Sequence, residues 1–199
     1  MVIHFERHGV GPRFVDLKHD ETRVVLRAGR LGTEGVEHAR QYENQEIAIA
    51  ASARQRSRLE SKGYWPGHHE PTLLNAIREN PSDAGRFQVY ADWLLERQDP
   101  RGLLINAMNS GDRSVAEELL VNHAAELLPT WWLKHEVVSH WSLGFLSELH
   151  IAACDDPWVV RRMLRHPSAF VIRKLTLTRA ARSFTSATWV TALATALLR

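Results

Sequence analysis

Two stretches of this chain repeat one spacing of aliphatic residues, and that repetition limits the available folds more than any other feature. Leu146-Ser-Glu-Leu149-His-Ile151 and Ile172-Arg-Lys-Leu175-Thr-Leu177 both carry branched aliphatics at the first, fourth and sixth places, and they start 26 residues apart. Alternation at period two puts Leu149, Ile151, Leu175 and Leu177 on the inward side of two strands. Glu148, His150, Lys174 and Thr176 then face outward. Between the strands, Asp156 is a candidate N-cap and Pro157 a first helical residue, with Val159, Val160, Met163 and Leu164 at helical spacing. A strand-plus-helix unit of this size cannot cover its own apolar face, so successive units must stack. The expectation for residues 146–199 is a short α/β solenoid in which Cys154 is a buried structural thiol. Trp189, Val190, Leu193, Leu197 and Leu198 form one further apolar helical face, whereas terminal repeats normally end in a polar cap. Either more repeats follow or the face docks on another subunit.

The first 66 residues predict strands followed by one helix. From Thr22 to Ala28 the pattern alternates, with Val24, Leu26 and Ala28 on one side and Arg23, Val25 and Arg27 on the other. Phe14 to Lys18 is a shorter strand, closed by a turn at His19-Asp20. Gly29, Gly32 and Gly35 permit the chain reversal that returns Val36 to Tyr42 as a strand. Asn44 caps a helix carrying Ile47, Ala48, Ala50, Ala51 and Ala53, which stops at Gly63. Residues 67–71 complete a proline- and glycine-punctuated string from Trp65 and are expected to form a linker. The region 72–145 is expected to be helical. Thr72 to Glu79 is broken by Asn80-Pro81; Phe87, Tyr90, Ala91 and Leu94 share a helix face; Asp99 caps a helix opening at Pro100. Ser114 and Glu117 fit a capping box for another helix, ended by Pro129.

Lys and Arg number 25 against 23 Asp and Glu, so the formal charge is only +2. No whole-molecule field draws the protein onto a polyanion, and any nucleic-acid contact must come from a local patch. No apolar run reaches the roughly 18 residues of a membrane helix, and Met-Val-Ile-His-Phe-Glu-Arg lacks the apolar core of a signal peptide. The single cysteine closes no internal disulfide and offers no thiolate cluster, which points to a reducing, cytoplasmic location.

Three strings carry family resemblances. Arg27-Ala28-Gly29-Arg30-Leu31-Gly32-Thr33-Glu34-Gly35, with Tyr42 and Lys62-Gly63-Tyr64, resembles the WGR domain of DNA-dependent poly(ADP-ribose) polymerases and many bacterial proteins. That resemblance implies DNA contact at Arg30. Ala28 stands where the family's tryptophan packs on the sugar at a DNA end. Leu74-Asn-Ala-Ile77-Arg-Glu-Asn80-Pro81, Tyr90-Ala91-Asp92-Trp93-Leu94-Leu95-Glu96-Arg97 with Asp99-Pro100-Arg101, and Trp141-Ser-Leu-Gly144-Phe145 resemble a companion domain that precedes bacterial leucine-rich repeats. The two strands at 146 and 172 are similar to leucine-rich repeats themselves.

Catalytic patterns have weaker support than structural ones. His68-His69-Glu70 sits in the expected linker, where no strand or helix fixes ligand geometry. His135 and His140 lack the spacing of a helical zinc pair. Glu117-Glu118 and Asp155-Asp156 sit where helix starts attract acids. The three glycines lead into a strand rather than a helix, so no phosphate-binding N-terminus follows them. No catalytic residue, cofactor or metal is therefore expected. Arg54, Arg58 and Lys62 recur along one helix face and, with Arg27 and Arg30, make the candidate nucleic-acid patch. The leading expectation is a non-enzymatic interaction protein in which the WGR-like head meets DNA or another charged partner. Its repeat surface, through Glu148, His150, Lys174 and Thr176, binds protein. A DNA-end sensor and an enzyme with an inter-domain site are the alternatives.

Overall fold

The computed structural model describes residues 2–129, 131–132, 137–151 and 156–177. The chain is mixed α/β and divides into two compact units. The first comprises residues 1–69 with 125–129, and the second comprises 70–124 with 130–199. Cys154, His135 and the apolar face from Trp189 to Leu198 lie outside the described residues.

In the first unit, β1 (Val2–Arg7), β2 (Arg13–Asp20), β3 (Arg23–Arg30), β4 (Val36–Gln41) and β5 (Trp65–Pro66) form an antiparallel sheet in the order β4-β3-β2-β1-β5. Leu17 lies opposite Ile3 and Leu26, and Val15 opposite Phe5. These residues form one face, and with Val24 they pack against Ala48, Leu59 and Tyr64. The helix α1 (Gln45–Ser61) supplies Ala48 and Leu59, and begins where the Asn44 side chain accepts a hydrogen bond from the Ile47 amide at 2.9 Å. The glycines of the β3–β4 loop are required by close approach as well as by turning. A Cβ on Gly29 would stand 2.7 Å from the Cα of Gly35, itself at φ +74°.

Two features of this unit differ from expectation. Strand β1 was not anticipated, although Ile3 and Phe5 alternate with His4 and Glu6. The expected linker is also ordered onto the sheet: β5 pairs with β1, the Gly67 amide donates to the His4 carbonyl at 2.9 Å, and His69 is buried. A further surprise is the strut at Arg56, a buried residue whose Nε donates to Glu60 Oε1 at 2.9 Å. Its Nη2 donates to the carbonyls of Ala125 at 2.5 Å and Leu128 at 2.9 Å. One guanidinium thus ties the Glu60 carboxylate, one helical turn away, to two backbone carbonyls 69 and 72 residues further along the chain.

The second unit opens with α2 (Pro71–Glu79), α3 (Ala84–Leu95), α4 (Pro100–Asn109) and α5 (Arg113–Asn122). Glu70, Asp83, Asp99 and Asp112 cap them, each accepting from an amide of the first turn. Carboxylates at these positions satisfy orphan N–H groups and complement the helix dipole. Asp112, not Ser114, caps α5, because Gly111 at φ +77° turns the chain into the helix two residues earlier. The helix ends at Asn122, and a short α6 (Ala124–Leu127) follows before Pro129. The expected face of Phe87, Tyr90, Ala91 and Leu94 is buried, together with Leu74, Ile77, Ile105 and Phe145.

The stretch before Leu146 is not helical throughout, since Val137–Ser142 forms β6, as its β-branched and aromatic content favours. Strand β7 (Phe145–Ile151) pairs antiparallel with β6 and in parallel with β8 (Lys174–Leu177). The parallel register joins Glu148 to Lys174, Leu149 to Leu175, His150 to Thr176 and Ile151 to Leu177. Each of these four residues of β7 thus meets the residue one sequence repeat later. The crossover between them contains α7 (Pro157–Leu164), capped by Asp156, and a short 3₁₀ helix at Pro167–Ala169. The result among the described residues is a three-stranded mixed sheet containing one stacked pair of repeat strands.

Candidate functional site

Strand β4 and helix α1 border a groove of about 370 Å³, lined by Arg40 and Tyr42 on one side and Ala51, Arg54, Gln55 and Arg58 on the other. Arg40 and Tyr42 are two residues apart and share a strand face, while positions 51, 54, 55 and 58 follow one stripe of the helix. Arg40, Arg54 and Arg58 are exposed, and Tyr42 is half-buried. The Arg40 guanidinium lies over the Tyr42 ring, 5.3 Å from its centroid. Among the described residues, no carboxylate comes within ion-pair distance of these three arginines. Three arginines without a carboxylate partner among the described residues, lining one groove with an aromatic ring, suit an anion, because each guanidinium presents a planar fork of donors.

The residues expected to form one basic patch are not together. Arg54 and Arg58 line the groove, and Lys62 is the exposed C-cap of α1 without lining it. Arg30 is exposed at the end of β3, its carbonyl accepting from the amide and hydroxyl of Thr33. Arg27 belongs to the opposite sheet face, where its Nε and Nη2 donate to Asp16 Oδ2 at 2.8 and 2.5 Å. Its guanidinium also lies over Phe14. The sheet itself separates Arg27 from the helix arginines, since α1 packs on the face of Val24 and Leu26. Arg40 went unrecognised and Tyr42 was noted only within the family string; their two-residue spacing was the available signal.

On that opposite face the register places His4 beside Asp16 and Asp16 beside Arg27. His4 Nδ1 donates to Asp16 Oδ1 at 2.5 Å, and Nε2 lies 3.1 Å from Glu6 Oε1. Burial is the largest influence on the His4 imidazole and disfavours its charged form. Hydrogen bonds and charge from Asp16 and Glu6 together outweigh it and raise the pKa to about 9. Burial likewise acts to raise Glu6, but its contacts with His4, His68 and His8 hold it far below the usual carboxylate range. Asp16 is also lowered, against burial, by His4 and Arg27.

In the second unit, Glu148, His150, Lys174 and Thr176 share one face of the β7–β8 pair, and Lys174 Nζ lies 3.2 Å from Glu148 Oε2. The two expected partner-binding charges therefore neutralise each other across the strands.

No family model matches the chain, and no curated protein matches it. Among solved structures, a protein from Bacteroides fragilis, solved by the Northeast Structural Genomics Consortium, is 22% identical and gives a TM-score of 0.34. The match covers 34% of this chain and 20% of that one.

Proposed function

We propose that this is a non-enzymatic interaction protein whose N-terminal unit grips the phosphate backbone of nucleic acid in the groove between β4 and α1. The observation that carries this is the convergence of Arg40, Arg54 and Arg58, free of carboxylate partners among the described residues, around Tyr42. Guanidinium forks bind phosphate oxygens, and a neighbouring ring offers a stacking surface for a sugar or base. With a net charge of +2, affinity depends on this local cluster. The WGR-like string from Arg27 to Gly35 separately implies DNA contact by this unit, at Arg30 rather than in the groove.

The test is fluorescence anisotropy with a duplex DNA end across a salt series. Three phosphate contacts give a log–log salt slope of about −2.7. Replacing Arg54 and Arg58 together by alanine should make the slope shallower by about 2. No binding at low salt overturns the assignment, as does an unchanged slope in the double variant. An Arg30→Ala arm asks whether the glycine loop, as the WGR-like resemblance implies, contributes a further contact.

A protein-binding role for the second unit is favoured by the in-register parallel pairing of β7 and β8. We assign these strands to a leucine-rich-repeat-like solenoid that follows a helical companion segment, in a bacterial cytoplasmic protein. No described helix is long and apolar enough to cross a membrane. Glu148, His150, Lys174 and Thr176 form its partner face, and their exposed ion pair costs little to open. Charge reversal at Glu148 or Lys174 singly should abolish partner capture in a nuclease-treated pull-down. Undiminished capture of the same protein by both variants would refute this role.

A further inference from the structure

We propose that the sheet face opposite α1 holds a divalent transition-metal ion of the zinc class between His4 Nε2, Glu6 Oε1 and His68 Nδ1. Alternation along β1 directs His4 and Glu6 to the same side. The pairing of β5 with β1, continued by the Gly67 amide on the His4 carbonyl, carries His68 over them. Glu6 Oε1 stands 3.1 Å from His4 Nε2 and 3.5 Å from His68 Nδ1, and the donor atoms of all three residues lie within 4.8 Å of one another. A tetrahedral zinc ion with bonds of about 2.0–2.1 Å separates its ligand atoms by about 3.3 Å. Two edges of the tetrahedron are therefore already near their bound length.

The surrounding bonds orient the donors as metal sites require. His4 uses Nδ1 on Asp16, which is held in turn by Arg27, so Nε2 is left facing Glu6. A ligating histidine typically donates its other nitrogen to a carboxylate in this manner. The second oxygen of Glu6 is similarly occupied, accepting from His8 Nε2 at 2.7 Å and the His69 amide at 3.1 Å. That leaves Oε1 for the ion. Its side chain is only 5% exposed, which shields the bond from water. Two imidazoles and one carboxylate suit zinc, and are a poor set for magnesium or calcium, which take oxygen ligands.

Loading releases to solvent the proton that His4 Nε2 holds toward Glu6, and it moves one ring. The His4 and His68 rings stack 3.8 Å apart at 16°, so their in-plane lone pairs run side by side. His4 is anchored by Asp16, and the His68 ring must turn out of the stack to aim Nδ1 at the ion. Bound metal then pins residues 65–69 to β1, a role independent of any nucleic-acid contact.

The experiment uses the full chain stripped by a chelator and dialysed, with zinc, cobalt(II) and magnesium chlorides titrated by calorimetry. One zinc ion should bind per chain and raise the melting temperature, with magnesium doing neither. His68→Ala and Glu6→Gln should each weaken zinc at least tenfold, and Asp16→Asn, which alters the bond that positions His4 together with the Arg27 ion pair behind it, about tenfold. His140→Ala, on β6, should change nothing. Because Glu6 is buried, circular dichroism must show each variant folded; His68, only partly buried, supplies the variant least dependent on that check. Imidazole nitrogen NMR should report coordination at His4 Nε2 and His68 Nδ1. No zinc binding by the parent chain refutes the site, and so does unchanged affinity in a folded His68→Ala chain.

Discussion

Arg101 offers a direct measure of how the second unit is held together. It is one of the largest fully buried side chains, 1% exposed, and enters from the first turn of α4. Its Nη1 donates to the Gly144 carbonyl at 2.9 Å and its Nη2 to Ser168 Oγ at 2.8 Å, while the guanidinium lies over Phe145. One side chain thereby joins a helix, the β6–β7 turn and the 3₁₀ helix before β8. Arg101→Met keeps most of the stem packing and removes the guanidinium, and these two bonds with it. Two hydrogen bonds from a charged donor are worth about 1.5–3 kcal/mol each, a sum of about 3–6. The methionine also spares the protein the burial of a charge, which favours the lower end, about 3 kcal/mol. For a chain of this length that is a fall in melting temperature of about 6–12 °C. Hydrogen exchange at the amides of β7 reads the loss within the second unit alone. Arg101→Lys should recover at most one of the two bonds, because an ammonium cannot reproduce the planar fork. In a double-mutant cycle with Ser168→Ala the coupling should be about 1–2 kcal/mol. A loss below about 1 kcal/mol in Arg101→Met, or no coupling to Ser168, would refute the idea that the guanidinium ties these elements.

Leu149→Ala should cost about 2–5 kcal/mol by urea denaturation, since Leu149 is buried in β7; Leu175→Ala, at a partly exposed site on β8, should cost less. Gly29→Ala should destabilise the first unit by about 1–3 kcal/mol, because the added methyl meets the Gly35 backbone rather than a movable side chain; a neutral thermal shift would contradict this. In metal-free protein, stability should also follow the histidine–carboxylate cluster. The His4 pKa rises from 6.5 to about 9, so its contribution is complete below pH 6.5 and vanishes as pH climbs through 9, about 3 kcal/mol in all. Glu6 and Asp16 are shifted the other way, so their share is present above the ordinary carboxylate range and fades as pH drops below it. These are the same contacts viewed from each partner and are counted once. A His4→Asn chain with an unaltered alkaline limb would show the assignment to be wrong.

Local patterns were legible in the sequence where one element decided them. The alternation around Val24, the cap at Asn44, the face of Phe87, Tyr90 and Leu94, and the matched spacing of Leu149 and Leu175 each depend on backbone period and neighbouring side chains. The histidine cluster was not legible, because it needs β5 to pair beside β1, a contact joining residues 65–66 to residues 5–6. Trp65-Pro66 is too short to announce itself as a strand, and prolines beside it suggested a free linker; at a sheet edge, however, a proline sacrifices no ladder bond. The basic patch failed for a different reason. Counting arginines along β3 and α1 ignored which side of the sheet the helix would cover, and that side is set by burial of Ile3, Phe5, Val15 and Leu17. The alternation of Val24 and Leu26 with Arg23 and Arg27 carried the signal, since the apolar side is the one the helix covers.

The strut at Arg56 has a practical consequence for dissecting the molecule. Its two carbonyl acceptors come from Ala125 and Leu128, after four helices of the other unit have intervened. A fragment ending at His69 would keep the sheet and α1 yet strand a guanidinium in the interior with its acceptors deleted. The N-terminal body is thus discontinuous in the gene, and its independent expression requires the five residues 125–129 to be spliced back through an artificial connection.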